Sequence, residues 1–411
     1  MVTTLRKCRI CGSSRLKLFL DLGKTPLANA FVQKKDIKDE EQRYPLRVLF
    51  CETCNLCQLQ HIIDPQTLFS HYVYFSSPMP QLSGYFSKYI DEAITRFIPS
   101  KKGRVVEIGS NDGILLAEVK KYGIKVLGVD PAKNIALVAN VRGIPTIPDF
   151  FSNRLAHKIV KTYGRANMVI ANNVVAHIND HHDLIQGVKT LLHEDGVFIF
   201  EAPYLIDMFT NLSFDTIYHE HLSYLAVRPL MMLMDKYDME IFDVQAHHVQ
   251  GLSLRVFVGN RGKHKVSNSV SRFIEQELAM GLNSLNSYKK LAKQIASIKN
   301  KARRVLYKLK CKGSKISAYG APAKGNTLLN YYDIGRDVLD YATEELPSKI
   351  GMFTPGTHIP IIDIKNARKI PPDFFLLLAW NYKDAILKKE EKYLTSGGKF
   401  IIPIGKVEIV S

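Results

Sequence analysis

The chain has no apolar run approaching the roughly 20 residues that cross a bilayer. Its opening residues, Met1-Val2-Thr3-Thr4-Leu5-Arg6-Lys7-Cys8, lack the apolar core of a signal peptide. No membrane span is expected, and the cytoplasm is the expected compartment. Tandem repeats and low-complexity tracts are missing, which excludes a solenoid and a disordered scaffold. Cysteine is scarce, six in 411 residues, and four of the six fall in paired knuckles. That usage suits metal ligation in a reducing compartment and excludes a disulfide framework. Two further signatures are absent: the Gly-x-Gly-x-x-Gly that seats a dinucleotide pyrophosphate and the His-Glu-x-x-His of zinc proteases.

What is present is an ordinary globular composition, 46% hydrophobic and 23% charged, long enough for about two to four packed domains. Lys and Arg exceed Asp and Glu by 17. Much of this excess concentrates between Lys289 and Lys315, where Leu282, Leu285, Tyr288, Leu291, Ile295, Ile298, Ala302, Val305 and Leu309 recur at helical spacing. The pattern predicts an amphipathic helix whose basic face is solvated, a polyanionic partner being the alternative.

Three segments follow. Residues 1–70 hold Cys8, Cys11, Cys51 and Cys54. In 71–265, apolar strands at Arg104–Gly109, Lys125–Asp130, Asn167–Asn172, Val197–Ala202, Glu240–Val244 and Leu254–Val258 alternate with helical stretches, which predicts a mostly parallel sheet covered on both faces. Residues 266–411 repeat the theme, with strands expected near Lys315–Tyr319, Val338–Ala342, Phe374–Ala379 and Phe400–Ile404.

Two Cys-x-x-Cys loops are a usual way to supply the four thiolates of a closed, structural Zn²⁺ site. Cys57, three residues past Cys54, could replace it as a ligand, although a buried apolar thiol is the preferred reading. After the first strand of the middle segment, Glu107-x-Gly109-x-x-x-Gly113 lets the backbone approach a cofactor. Asp130, at the tip of the second strand, can accept hydrogen bonds from both ribose hydroxyls. With no pyrophosphate fingerprint, S-adenosylmethionine suits this pocket better than a dinucleotide. A third cluster, Tyr218-His219-Glu220-His221, follows Asp215 and has the composition of a general base with carboxylate and phenol neighbours. If extended, it could not aim Glu220 and His221 at one spot, so a bend is expected.

These residues together resemble the three-domain, zinc-containing, S-adenosylmethionine-dependent C-methyltransferases of nucleotide-linked ketosugars. The resemblance runs through Cys8-Arg9-Ile10-Cys11-Gly12, Asp21 to Asn29, Cys51-Glu52-Thr53-Cys54 and Tyr72-Val73-Tyr74-Phe75-Ser76-Ser77. It continues through Glu107 to Gly113, Asn173-Val174-Val175-Ala176-His177-Ile178 and Tyr218 to His221. It ends with Ala318 to Thr327, Pro355 to Pro360 and Leu378-Ala379-Trp380-Asn381. It implies an α/β fold made of an N-terminal zinc-binding module, a central Rossmann-like class I methyltransferase sheet and a C-terminal second Rossmann-like α/β domain. It implies His221 as the base beside Glu220 and Tyr218, with Tyr74 reaching the site, Tyr72 as its alternative, and His177 completing the lining. Glu107, Gly109, Asn111, Gly113, Asp130 and Asn173 would hold the cofactor. Lys324 and Asn326 would help bind the nucleotide diphosphate, and no nucleic-acid partner is implied.

Two stretches depart from that pattern. Gln250-Gly251-Leu252-Ser253-Leu254-Arg255 places a leucine where relatives carry glycine, and Thr343-Glu344-Glu345 stands where an aspartate is usual. Both leave acceptor and nucleotide identity open. The rival readings are a nucleic-acid methyltransferase that grips phosphate with its basic helix, and a dinucleotide-binding third domain. The second is opposed by Pro322 inside Gly320-Ala321-Pro322-Ala323-Lys324-Gly325.

Overall fold

The computed structural model describes residues 2–69, 80–248 and 251–411; Tyr72, Tyr74 and Gln250 lie outside the described residues. The middle sheet is built from β1 (Arg104–Ile108), β2 (Lys125–Val129), β3 (Thr146–Ile147), β4 (Ala166–Asn172), β5 (Leu192–Pro203), β6 (Met239–His248) and β7 (Leu252–Asn260). Their order across the sheet is β3-β2-β1-β4-β5-β7-β6. Strands β1 to β5 run parallel, whereas β7 is antiparallel to both β5 and β6. Met168, Val169, Ile170 and Ala171 on β4 are all fully buried. That follows from coverage of both faces, and it is why β4 reads as a continuous apolar run. The order reverses between β1 and β4, so a ligand crevice lies beyond their carboxyl ends.

The N-terminal module is a four-stranded antiparallel sheet in the order Ser223–Tyr224, Cys57–Leu59, Tyr44–Cys51, Leu16–Thr25. Its first strand belongs in sequence to the middle unit and follows the Tyr-His-Glu-His cluster directly. The C-terminal sheet has six strands in the order Ile361–Asp363, Ala342–Glu344, Ile316–Tyr319, Phe374–Leu377, Lys399–Ile402, Glu408–Val410, only the last pairing being antiparallel. The strand expected at Val338–Ala342 is displaced to Ala342–Glu344. Val338 and Leu339 are instead buried in a helical turn, where both amides donate to the Gly335 carbonyl and Asp337 caps Gly335.

The predicted amphipathic helix spans Leu285–Cys311 and buries Tyr288, Leu291, Ile295, Ile298, Ala302 and Leu306. Tyr288 packs against Phe19 and Phe50 of the first module and Phe209 of the middle one, with ring centroids 4.9, 4.6 and 5.0 Å away. The basic face is solvated only in part. Arg303 pairs with Asp333, Tyr307 with Asp337 and Lys310 with Asp340, so one flank is stitched to the C-terminal domain. Among the described residues, no helix is long and apolar enough to cross a membrane.

Candidate active site and metal centre

The four thiol sulfurs of Cys8, Cys11, Cys51 and Cys54 converge within 4.8 Å of one another. Each knuckle turns back through a left-handed residue, Gly12 at φ 73° and Asn55 at φ 67°. The Gly12 and Asn55 amides donate to the Cys8 and Cys51 carbonyls at 3.0 and 2.8 Å. Four soft ligands from two loops fit tetrahedral Zn²⁺ with no open position. Cys57 stands apart, fully buried on the strand Cys57–Leu59, where burial raises its thiol pKa well above the usual value.

The glycine turn sits at the switch point as the strand pattern requires. Gly109 has φ 68°, and a Cβ there would meet Val174 Cγ2 at 2.2 Å; Gly113 has φ 81° and abuts Ile144. Only glycine tolerates both demands. Asp130 accepts from the Asn111 amide through one carboxylate oxygen and from the Ala132 amide through the other, both at 2.9 Å. It therefore shapes the turn, and each oxygen keeps a second lone pair for a ribose hydroxyl. Burial raises the Asp130 pKa, and these two amide bonds oppose the shift.

Glu107 is 5% exposed, and burial, then Asp130 and Asp112, push its carboxyl pKa well up. Its Oε2 is buried without a hydrogen-bond partner among the described residues, as are Ser110 Oγ and both amide atoms of Asn172. The Glu107 and Asp130 carboxyls, with the unpartnered Ser110 hydroxyl and Asn172 amide, suit a cationic, hydroxyl-bearing ligand, and S-adenosylmethionine has both features. Ser110 and Asn172 were not singled out from sequence. The flanking Asn173 was, and its main-chain amide donates to the Glu201 carbonyl at 2.8 Å.

The Tyr218-His219-Glu220-His221 cluster is a tight turn, the expected bend, closed by the His221 amide donating to the Tyr218 carbonyl at 2.9 Å. His221 Nδ1 lies 2.7 Å from the Thr216 carbonyl oxygen. A carbonyl only accepts, so Nδ1 carries the proton and Nε2 is left as the acceptor. The ring sits between Tyr218, 4.0 Å away by centroid, and His177, 4.9 Å away. Burial lowers the His221 pKa to about 4, against the Thr216 bond. His177 is lowered too, by burial and then by His221. Phe69 stacks on His177 at 5.8 Å. His219, in contrast, turns away to sit beside Tyr44.

Glu220 is buried and accepts from Asn29 Nδ2 at 2.6 Å, a contact between modules that local sequence does not announce. Lys324 lies in the switch-point crevice of the C-terminal sheet, its Nζ bonded to Asn381 and 4.6 Å above the Trp380 ring. Asn326 does not join it. Its side chain is 1% exposed and donates to the Ala28 carbonyl at 2.8 Å, so it links the first and third modules. Asp215 and Trp380 meet across the same cleft, the indole Nε1 donating to Asp215 at 2.7 Å. Arg255, the end of the divergent stretch, is a buried partner of Glu201 at 2.7 Å, which makes that arginine part of the middle core.

Three family models match the chain in order: a zinc binding domain over residues 8–69, a methyltransferase domain over 82–244 and a C-methyltransferase C-terminal domain over 248–405. C-methyltransferase NovU of Streptomyces niveus is 34% identical over 412 aligned residues, covering 100% of this chain and 98% of NovU. Among solved structures, the PH0226 protein of Pyrococcus horikoshii OT3 aligns with 49% of this chain and 100% of its own, at 13% identity and TM-score 0.36. The magnesium protoporphyrin IX methyltransferase of Synechocystis PCC 6803 aligns with 42% of this chain and 79% of its own, at 12% identity and TM-score 0.32. With NovU aligned end to end and all three units matched, the chain belongs to the C-methyltransferase family, as a zinc-binding enzyme that uses S-adenosylmethionine to methylate carbon.

Proposed function

We propose that the acceptor is a nucleotide-linked ketosugar, methylated on the carbon beside its ketone, with residues 1–70, 71–265 and 266–411 serving as metal, cofactor and acceptor units. The observation that carries this reading is the His221 tautomer: with Nδ1 held by Thr216, Nε2 is an unprotonated acceptor in a buried site. A carbon next to a ketone becomes nucleophilic only when it loses a proton, and Nε2 is the atom to receive it. With a conjugate-acid pKa near 4 the base is always available at neutral pH but is weak. Most of the barrier reduction must then come from stabilising the enolate oxygen, for which Tyr218 and His177, whose rings flank His221, are candidates, with Tyr74 or Tyr72 as further ones. S-adenosylmethionine supplies the electrophilic methyl group, which the enolate carbon receives as the neutral thioether leaves. Lys324 offers a cation for the diphosphate, a few residues into the strand-to-helix turn of the second sheet. Reduced thiolates in the metal site are in keeping with action in the cytoplasm.

The test is a panel of nucleotide ketosugars incubated with methyl-labelled S-adenosylmethionine, the label being located by NMR. A new carbon–carbon bond beside the ketone, with deuterium entering the acceptor from heavy water, is the expected result. A methyl ether, with no exchange into any acceptor, would exclude the mechanism.

A further inference from the structure

The metal site lies well away from the chemistry in sequence, yet its first knuckle bonds the loop after His177 directly and the strand Cys57–Leu59, which pairs with the segment just after His221. Arg9, between the ligands Cys8 and Cys11, is 5% exposed. Its Nε donates to Asn179 Oδ1 at 3.1 Å, two residues beyond His177. Its Nη1 donates to the Leu59 carbonyl at 2.7 Å and to Gln58 Oε1 at 3.2 Å. The Arg9 amide also donates to Gln58 Oε1, at 3.1 Å. Gln58 and Leu59 belong to the strand that holds the far side of the base turn. The Leu59 amide donates to the Leu222 carbonyl at 2.9 Å, directly after His221, and Gln58 and Cys57 pair with Ser223 and Tyr224. Ile10, the other residue inside the knuckle, gives its carbonyl to His182 Nε2 at 2.9 Å and Lys236 Nζ at 2.8 Å, fixing the knuckle to the middle domain.

We propose that the first metal knuckle sets the spacing of the two active-site imidazoles, with Arg9 as a positioning residue whose guanidinium ties the His177 loop to the strand Cys57–Leu59, against which the segment after the His221 turn is paired. Zinc on this view fixes catalytic geometry as well as module stability. The inference rests on the assignment of His221 and His177 to the reacting site. A planar fork that reaches two loops at once is a geometry lysine cannot copy. A displacement of about 1 Å at a reacting group costs on the order of a hundredfold in rate.

The experiment uses the full-length, zinc-loaded enzyme carrying Arg9→Met, which removes the donors while keeping length and bulk. Arg9→Lys serves as the conservative partner. Zinc content, S-adenosylmethionine affinity, kcat and KM for the acceptor, and hydrogen exchange over residues 57–60 and 218–224 are measured together. Arg9→Met is expected to hold zinc at parental stoichiometry and to bind the methyl donor within about twofold of the parent. Its kcat should fall about tenfold or more, with a smaller change in KM. Exchange should rise in both segments, and Arg9→Lys should fall between the two. With zinc retained, a kcat within about twofold of the parent, or unchanged exchange in both segments, overturns the proposal. Should Arg9→Met lose its metal, Asn179→Ala, which severs the far end of the link without touching the metal loops, decides by the same criteria. The exchange measurement needs no acceptor. It therefore separates failure of this proposal from failure of the ketosugar assignment, in which no panel member would be methylated even by the parent enzyme.

Discussion

His221 is where residue-scale chemistry decides the most. Its pKa of about 4 places its acid limb far below that of an ordinary histidine. On the proposed base role the neutral form is the active one, so kcat/KM should stay flat from pH 8 down to about 5 and fall only as pH drops through about 4. A limb near 6.5 in the parent that vanishes in His221→Asn would show the imidazole to be far less desolvated than it stands here. His221→Ala should lower kcat at least about a hundredfold and leave S-adenosylmethionine affinity within about twofold. Asp130→Ala should do the reverse, weakening the cofactor, since its carboxylate also anchors the turn through the Asn111 and Ala132 amides.

Asp215 titrates with the opposite sign to His221. Burial raises its pKa to about 6, opposed by Lys324 and the Trp380 indole. Between roughly pH 4 and 6 the folded chain keeps a proton that the unfolded chain has released, so this contribution stabilises at low pH and is lost as pH rises through about 6. Asp215→Asn retains an acceptor for Trp380 and cannot ionise. It should be more stable than the parent by about 3 kcal/mol at pH 7.5, the gap closing near pH 4. A gap equal at both pH values would remove Asp215 from the titration.

At the scale of elements, what the sequence discloses is what local pattern controls. Strands β1, β2 and β4 announce themselves because a strand buried on both faces reads as a nearly continuous apolar run, broken in β1 by the buried Glu107. The helix Leu285–Cys311 does so because one face alone is buried. The paired knuckles are legible because metal ligands need fixed short spacings. Ser223–Tyr224 is not, since two residues carry no period, and neither is the contact of Asn29 with Glu220 or Trp380 with Asp215, 191 and 165 residues apart. The Asn326 contact with Ala28 is not legible either, because a polar residue near a glycine turn looks the same whether it faces a ligand or another module. Among the cysteines the prediction is direct. Cys51→Ser should release zinc and destabilise the first module, whereas Cys57→Ala should keep full metal stoichiometry, zinc content after gel filtration distinguishing the two.

Across the whole molecule, the largest of three buried hydrophobic clusters among the described residues includes side chains from Cys8 to Val407 and draws on all three units. The Val32 and Phe353 main chains exchange hydrogen bonds at 2.9 and 2.8 Å, and Asn326 reaches the Ala28 carbonyl, so the first and third modules are joined directly. Such continuity predicts cooperative unfolding. Calorimetry should show one dominant transition, and removing zinc by chelation should shift that transition as a whole instead of splitting off a first-module peak.

The strand Ser223–Tyr224 also bears on how the chain is made. A ribosome that has released residues 1–69 has released a metal-binding sheet whose Cys57–Leu59 border is still bare, because its neighbour lies far downstream. Until that neighbour is synthesised, the nascent polypeptide carries an unpaired backbone margin open to its own copies and to chaperones.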